Sequence, residues 1–504
     1  MSGHPQRDPD RGSPTEPPEQ VKPRTLYDRG VDRAAVNTFV RQQWDSSVVS
    51  SLSRLVEIPA VSPGFDPEWE ANGHLDSAIG HVREWIEARG LTGAGTEVVR
   101  LPGRSPLLLV DVPATGDASD GSAETALLYG HLDKQPPMDG WSAGLGPWEP
   151  VVHEGRLYGR GSVDDGYSGY AAVTAIEALR SQGGRHPRCV LLLETGEESG
   201  SPDLPAYLDH LSERLGRIGL VVCLDSGGGD YERLWLTTSL RGMVQVNLTV
   251  KVLETGQHSG AASGLVPDSF RIARQLLDRL EDSATGEILL PELNVRIPDS
   301  RAAEARAGVE AAPGLVRGSV ELPQGMRMVH EDEAELALNN WWRPTLTVIG
   351  ADGLPHPAEA GNVLRSRTTL DLSFRLPPTA DPDAALRAVR STLERDVPYG
   401  AEVEFDHEEA GRGFNAPETA PWLSEALDEA SAEVFGAGWR SMGLGGSIPF
   451  MGLLHERYPE AQFVVTGALG PRSNAHVPDE SLDLDYAARV TSAVAYVLDA
   501  HARK

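Results

Sequence analysis

Apolar residues recur at helical spacing between Ala34 and Ile58, where Val36, Phe39, Val40, Trp44, Val48, Val49, Leu52 and Leu55 share one face. Short continuous apolar runs follow at 107–112, 126–129, 190–193, 220–224 and 463–466, with helical patterns between them, notably over 167–180. Continuous apolar strands alternating with helices predict an α/β fold: a mostly parallel sheet covered by helices on both faces. Near Leu240 the texture changes. Residues 244–252 (VQVNLTVKV) alternate strictly between apolar and polar, as a strand with one wet face does. A helix over 268–281, strands over 345–349 and 368–374, a helix over 382–395 and a strand over 401–405 complete a small α+β layer. After about Gly411 the chain returns to helix, strand and an amphipathic helix over 485–500. This order predicts one domain made of residues 26–240 and 411–504, interrupted by an inserted domain over 241–410. The stretch 115–122 reads as a loop, and 291–324 as an irregular insertion without a place in either layer.

Composition narrows the classes. The first 24 residues hold six prolines and few large apolar side chains, so residues 1–25 read as a flexible tail that cannot repay its ordering entropy. Across 504 residues, 45 Lys and Arg against 74 Asp and Glu give a net charge of −29, which argues against nucleic-acid and anionic-membrane partners. No apolar run approaches the ~20 residues of a membrane span, and the N-terminus lacks the apolar core of a signal peptide. Cys189 and Cys223 are the only cysteines, which excludes a disulfide-dense secreted scaffold and makes the expected location cytoplasmic.

The candidate chemistry lies where apolar strands end. His131 and Asp133 follow the 126–129 run, Glu197 and Glu198 follow the 190–193 run, Asp225 ends the 220–224 run, and His476 comes soon after the 463–466 run. In an open parallel sheet, ligands gather at the carboxyl ends of strands. A Gly-rich acidic turn, GRGSVDDG over 159–166, adds Asp164 just ahead of a helix. Two His with several carboxylates form the mixed nitrogen and oxygen set that suits zinc, with manganese or cobalt as alternatives. A carboxylate can bridge two ions ~3.5–4 Å apart. Adjacent Glu197 and Glu198 suggest one free base beside one ligand, and Asp133 fits a partner that orients the His131 imidazole. Each signal alone more often describes a hydrogen-bonded structural His or a solvated acidic turn; their shared position at strand ends is what raises the metal reading. The zincin motif H-E-x-x-H does not occur.

The segments YGHLDKQPP (129–137), LYGRGSVDDG (157–166), LETGEESGS (193–201), LDSG (224–227) and Ala475-His476 together resemble peptidase family M20, the zinc aminoacylases, carboxypeptidases and carnosinase-type dipeptidases. Within that family DGW (139–141), SLRG (239–242), HSG (258–260), WRPTLTV (342–348) and GGSIP (445–449) resemble the cytosolic dipeptidase branch. The resemblance implies a zinc-binding α/β domain with an inserted lid that commonly dimerises. It implies that His131, Asp164 and Asp225 hold one metal ion, and that Asp164, Glu198 and His476 hold a second. It makes Glu197 the general base that takes a proton from metal-bound water, and Asp133 the orienting carboxylate. Both would be catalytic. In the lid, His258 matches a residue that reaches across a dimer to the oxyanion, and Asn362 and Arg375 match residues that grip a substrate carboxylate. Gly446 and Ser447 match a loop that touches the substrate.

The implied activity is cleavage of amide bonds in small substrates, foremost dipeptides. An N-acyl-amino-acid deacylase or carboxypeptidase is the alternative, and a non-catalytic homologue is a third reading, against which all five ligand matches and the base are retained. Two departures from the family pattern bear on specificity. Asp164 is followed by Asp165-Gly166 where the family has Lys or Asn-Lys, and Gly443-Leu444-Gly445-Gly446-Ser447 stands where the dipeptidases carry Arg-Glu-Gly-Gly-Ser.

Overall fold

A computed structural model describes residues 31–115, 124–446 and 448–504. The expected tail, most of the 115–122 loop and Ser447 lie outside the described residues. Six strands form the central sheet in the order Gly95–Val99, Leu107–Val112, Arg188–Glu194, Thr125–His131, Ile218–Cys223 and Gln462–Val465. The last four run parallel, whereas Leu107–Val112 pairs antiparallel with both of its neighbours.

Alternate side chains of these strands enter two separate cores. Leu108, Val110, Leu128, Leu191 and Val222 pack with the helices Arg33–Gln43, Val49–Glu57, His74–Ala88, Ser168–Ser181, Pro421–Phe435 and Leu484–His501. Leu107, Leu109, Leu127, Leu192 and Val221 face the helices Leu204–His210 and Pro449–Arg457 on the other side. Burial on both faces is why these strands read as unbroken apolar runs. The long N-terminal helix carries a π-helical segment at Trp44–Val48, where Trp44 is buried and its indole donates to Thr491 Oγ1 at 3.1 Å.

The second sheet is antiparallel, in the order Thr345–Asp352, Arg367–Leu376, Gly242–Lys251 and Glu402–Gly411. Val244, Val246, Leu248, Leu370, Leu372 and Phe374 bury one face against the helices Ser269–Leu277 and Pro382–Glu394. The intervening positions stay partly wet, which matches the strict alternation of the sequence. Both helices begin at an Asp cap: Asp268 accepts from Arg271 N–H and Asp381 from Asp383 and Ala384 N–H.

The 291–324 stretch is not irregular throughout. It contains the helix Asp299–Ala311, whose small buried residues Ala305 and Gly308 let it approach the Arg440–Leu444 strand closely. That helix and Glu333–Trp341 share a core with Trp235 and Met442, on a three-stranded sheet of Phe414–Asn415, Trp235–Leu240 and Arg440–Leu444. The inserted segment therefore packs in part on strands that lie outside it.

Candidate metal centre

Parallel strands bring the candidate residues to one edge. His131 ends the strand Thr125–His131, Glu197 and Glu198 open a short turn after Arg188–Glu194, and Asp225 lies two residues beyond Ile218–Cys223. Asp164 arrives on the Gly-rich turn. Gly130 fits there because a Cβ would lie 2.1 Å from Ser168 Oγ and 2.8 Å from Asp165 Oδ2. Gly161 holds a φ of 75°, which favours glycine, with its α-carbon against the Lys134 side chain.

Two triads of potential ligands result: His131 with Asp164 and Asp225, and Asp164 with Glu198 and His476. Asp164 belongs to both. Its Oδ1 lies 3.3 Å from His131 Nε2, and its Oδ2 lies 2.9 Å from His476 Nε2. Asp225 Oδ2 is 3.9 Å from His131 Nε2, and Glu198 Oε2 is 3.2 Å from His476 Nε2. Glu197 lies outside both triads but points to the same place, its Oε2 3.8 Å from His131 Nε2.

Asp133 does more than face the imidazole. His131 Nδ1 is 3.1 Å from the Asp133 backbone carbonyl and 3.4 Å from its carboxylate. That carboxylate accepts the backbone N–H groups of Glu197 at 3.2 Å and Glu198 at 3.0 Å, fixing the acidic turn.

The sequence profile of Peptidase family M20/M25/M40 matches residues 127–500, a span that takes in every residue of both triads. The chain belongs to this family. Over 460 residues the peptidase is 26% identical to the cysteinylglycine-S-conjugate dipeptidase of Corynebacterium striatum, spanning 90% of this chain and 95% of that protein. It is 25% identical over 453 residues to the Cys-Gly metallodipeptidase dug1 of Schizosaccharomyces pombe, spanning 87% of this chain and 92% of that one. The solved structure of the dipeptidase Dug1p from Saccharomyces cerevisiae shares the fold, with a TM-score of 0.71 at 21% identity over 94% of this chain and 99% of that one. Human carnosine dipeptidase 1 gives a TM-score of 0.69 at 22% identity, over 94% and 99%.

In this M20 peptidase the cluster is electrostatically crowded. Burial, then the charges of Asp164 and Glu197, push the Asp225 carboxyl well above the usual range. Burial, with Glu198 and Asp164 adding to it, does the same to Glu197. Burial opposes a charged His131, but hydrogen bonds to Asp133 and Asp164 outweigh it and raise that ring's proton affinity well above normal. His476 is raised to about 10 by its bonds to Asp164 and Glu198. Divalent cations held here would neutralise these crowded carboxylates, and the mixed nitrogen and oxygen donors fit such ions.

Residues outside the candidate set also build the site. Gln135 Nε2 donates to Glu198 Oε2 at 2.7 Å. Arg160 Nη1 donates to Glu480 Oε2 at 2.8 Å, and Glu480 Oε1 accepts Gly161 N–H at 2.9 Å, so a buried ion pair clamps the turn that carries Asp164. Asp165 is buried beneath it, its Oδ2 3.4 Å from His131 N–H and its carboxyl pushed up to about 8 by burial. Lys134 Nζ donates to the carbonyls of Leu55, Val56 and Ile58, tying the end of the Val49–Glu57 helix to the site.

The candidate substrate contacts are dispersed. His258 and Asn362 are exposed and adjacent on a two-stranded ribbon, where Ser259 N–H donates to Asn362 O at 2.9 Å. Among the described residues, no hydrogen bond or ion pair joins either to the acidic cluster. Arg375 lies half-buried on the Arg367–Leu376 strand beside Arg241, whose guanidinium burial and the Arg375 charge lower to about 10. Arg241 Nε in turn donates to the Gly445 carbonyl at 3.1 Å, next to the exposed Gly446.

Proposed function

We propose that this M20 peptidase hydrolyses dipeptides, with two divalent ions, zinc foremost, held by the two triads. The observation that carries the reading is Asp164, whose two carboxylate oxygens face different histidines and so offer one ligand atom to each triad. Bound ions would polarise the scissile carbonyl and acidify the attacking water. Glu197, free of both triads, takes the proton from that water and delivers it to the leaving nitrogen. Asp133 positions this base by holding the Glu197 and Glu198 backbone. Arg375, with Asn362, Gly446 and Ser447, grips the substrate end, for which the guanidinium fork suits a carboxylate.

In this reading residues 26–240 and 411–504 form the catalytic domain, and 241–410 form a lid through which two copies pair. Val348, Ile349 and Leu354, all exposed along the edge strand Thr345–Asp352 and just past it, support pairing there. His258 of the second copy would then approach the oxyanion. A cytoplasmic location accords with two buried free cysteines, and no helix among the described residues is long and apolar enough to cross a membrane.

Metal counting and a substrate panel test the reading together. Two ions per chain are expected, with dipeptide hydrolysis lost on chelation and restored by zinc or manganese. Turnover of N-acyl amino acids or of longer carboxypeptidase substrates, without dipeptide turnover, would transfer the site to those activities. No turnover of any panel after metal is restored would overturn the hydrolase itself.

A further inference from the structure

The loops that carry Asp225 and lead to His476 run side by side: Asp225 bridges Gly467, Gly227 bridges Leu469, and Gly228 N–H donates to Leu469 O at 2.8 Å. Beyond this zipper they frame a cavity of about 640 Å³, bounded by Gly227–229 on one side and by 469–471 and 473–475 on the other. The cavity thus shares its walls with the backbone that positions one ligand of each triad. Its volume lies in the range of small-molecule sites.

The remaining walls come from the insertion and from the strand Arg440–Leu444. Residues 313–316 and 318–319, with Asn340 and Trp341, close it from above, against Met442 and Leu444. Not one lining residue carries a charge, in a chain whose net charge is −29. This wall is fixed in place. The Glu333 carboxylate accepts the backbone N–H groups of Gly314, Val316 and Arg317 at 3.0–3.1 Å, which pins the turn bearing Leu315. Leu315 then seats on Gly229, where an added Cβ would lie 2.3 Å from Leu315 Cδ1.

The same packing bears on the 443–447 loop. A Cβ on Gly443 would meet Trp341 Cβ at 2.6 Å, and one on Gly445 would meet the Asn340 amide at 2.7 Å. Gly443, at the position where the dipeptidases this chain resembles carry Arg, thus packs on the helix Glu333–Trp341, and the neighbouring Met442 and Leu444 give the cavity an apolar side. We propose that this cavity is the subsite for one uncharged, apolar side chain of the substrate, with Leu315, Trp341 and Leu444 setting the preference. The inference rests on the dipeptidase reading above and names its substrate class.

The test uses the metal-loaded full chain and two dipeptide series, X-Gly and Gly-X, with X as Gly, Leu, Phe, Asp or Lys. In one series Leu and Phe exceed Gly, Asp and Lys in kcat/KM by at least about ten-fold, since even a single methylene in an apolar pocket discriminates by roughly 10–200-fold. Leu315→Asp lowers the Leu-to-Gly ratio at least about ten-fold, through KM, and raises the Lys-to-Leu ratio. Should that variant fail to fold, Leu315→Ala lowers the Leu-to-Gly ratio in the same direction. Val329→Ser, on the same insertion but 84% exposed and outside this cavity, leaves the profile as it was. Dipeptide cleavage with no side-chain preference in either series, or a profile unmoved by both Leu315 variants, overturns the subsite and leaves the dipeptidase reading standing. Absence of any dipeptide cleavage overturns both.

Discussion

The two large sheets of this peptidase spend their side chains differently. The six-stranded sheet buries both faces, and the candidate catalytic residues stand at its strand ends, held by buried partners such as Asp133, Glu480 and Arg160. The four-stranded sheet buries one face, leaves the other partly wet, and ends in an edge strand with exposed Val348 and Ile349. A site that needs fixed distances between carboxylates belongs on the first kind of scaffold, because close packing constrains the buried side chains there. A surface that must meet a substrate or a second copy belongs on the second. The two sheets therefore predict different responses to perturbation.

The largest effect is expected at the rigid sheet. Glu197→Gln removes the base while keeping its shape, so kcat falls by roughly 10²–10⁴-fold, the usual contribution of general acid–base catalysis. Metal content by elemental analysis stays at the wild-type value; normal turnover would remove Glu197 from the role. His258→Ala probes the exposed ribbon. If its ring meets the oxyanion from a second copy, kcat falls by about 10²–10³-fold, as for loss of one oxyanion donor. That loss accompanies a dimer in sedimentation, and a fully active monomer would break the division of labour between the sheets.

What the sequence makes legible follows the same divide. Strand ends could be read because each apolar run leads directly to a ligand-type residue, as at His131 and Asp225. The triads then require only that parallel strands converge. The clamp of Arg160 on Glu480 is not legible, since its partners are 320 residues apart and nothing in the pattern separates one buried Glu from the other acidic residues. The helix Asp299–Ala311 is equally hidden: its buried positions are Arg301, Ala305 and Gly308, which give little periodic signal. His258 and Asn362 are exposed, so only resemblance marks them; their burial and spacing alone describe an ordinary surface ribbon. The apolar wall around Leu315 escapes for a related reason, because a turn pinned by Glu333 has no hydrophobic period to detect.

Metal removal sharpens the comparison at intermediate scale. Asp164, Glu198 and Asp225 repel one another within a buried cluster, so ions bound there stabilise the fold, by ~2.7 kcal/mol when free metal stands at 100 times Kd. Chelation is expected to lower hydrogen-exchange protection first in the strands Thr125–His131, Arg188–Glu194 and Ile218–Cys223. The strands Gly242–Lys251 and Arg367–Leu376 keep theirs. Equal loss in both sheets would mean that the metal centre and the inserted layer unfold as one unit.

Acid provides the smallest and most selective probe. Among the described residues the buried histidines are His131, His186 and His501, all outside the four-stranded sheet and its helices, whereas His258, His330, His356 and His407 are exposed. Burial holds His186 down to about 4, against the bond to the Pro187 carbonyl, and the nearby Arg180 charge adds to the depression. In the unfolded chain the ring takes a proton near the ordinary value of ~6.5. Between these two values the unfolded state binds more protons, so this group's contribution to stability is lost as pH falls from about 6.5 towards 4. Gln at 186 can still accept from Arg180 Nε and donate to the Pro187 carbonyl, as the His186 ring does, but does not titrate. Urea unfolding at a series of pH values should therefore give a shallower acid limb for His186→Gln than for wild type. An unchanged slope would assign the acid sensitivity of the rigid sheet to its carboxylates.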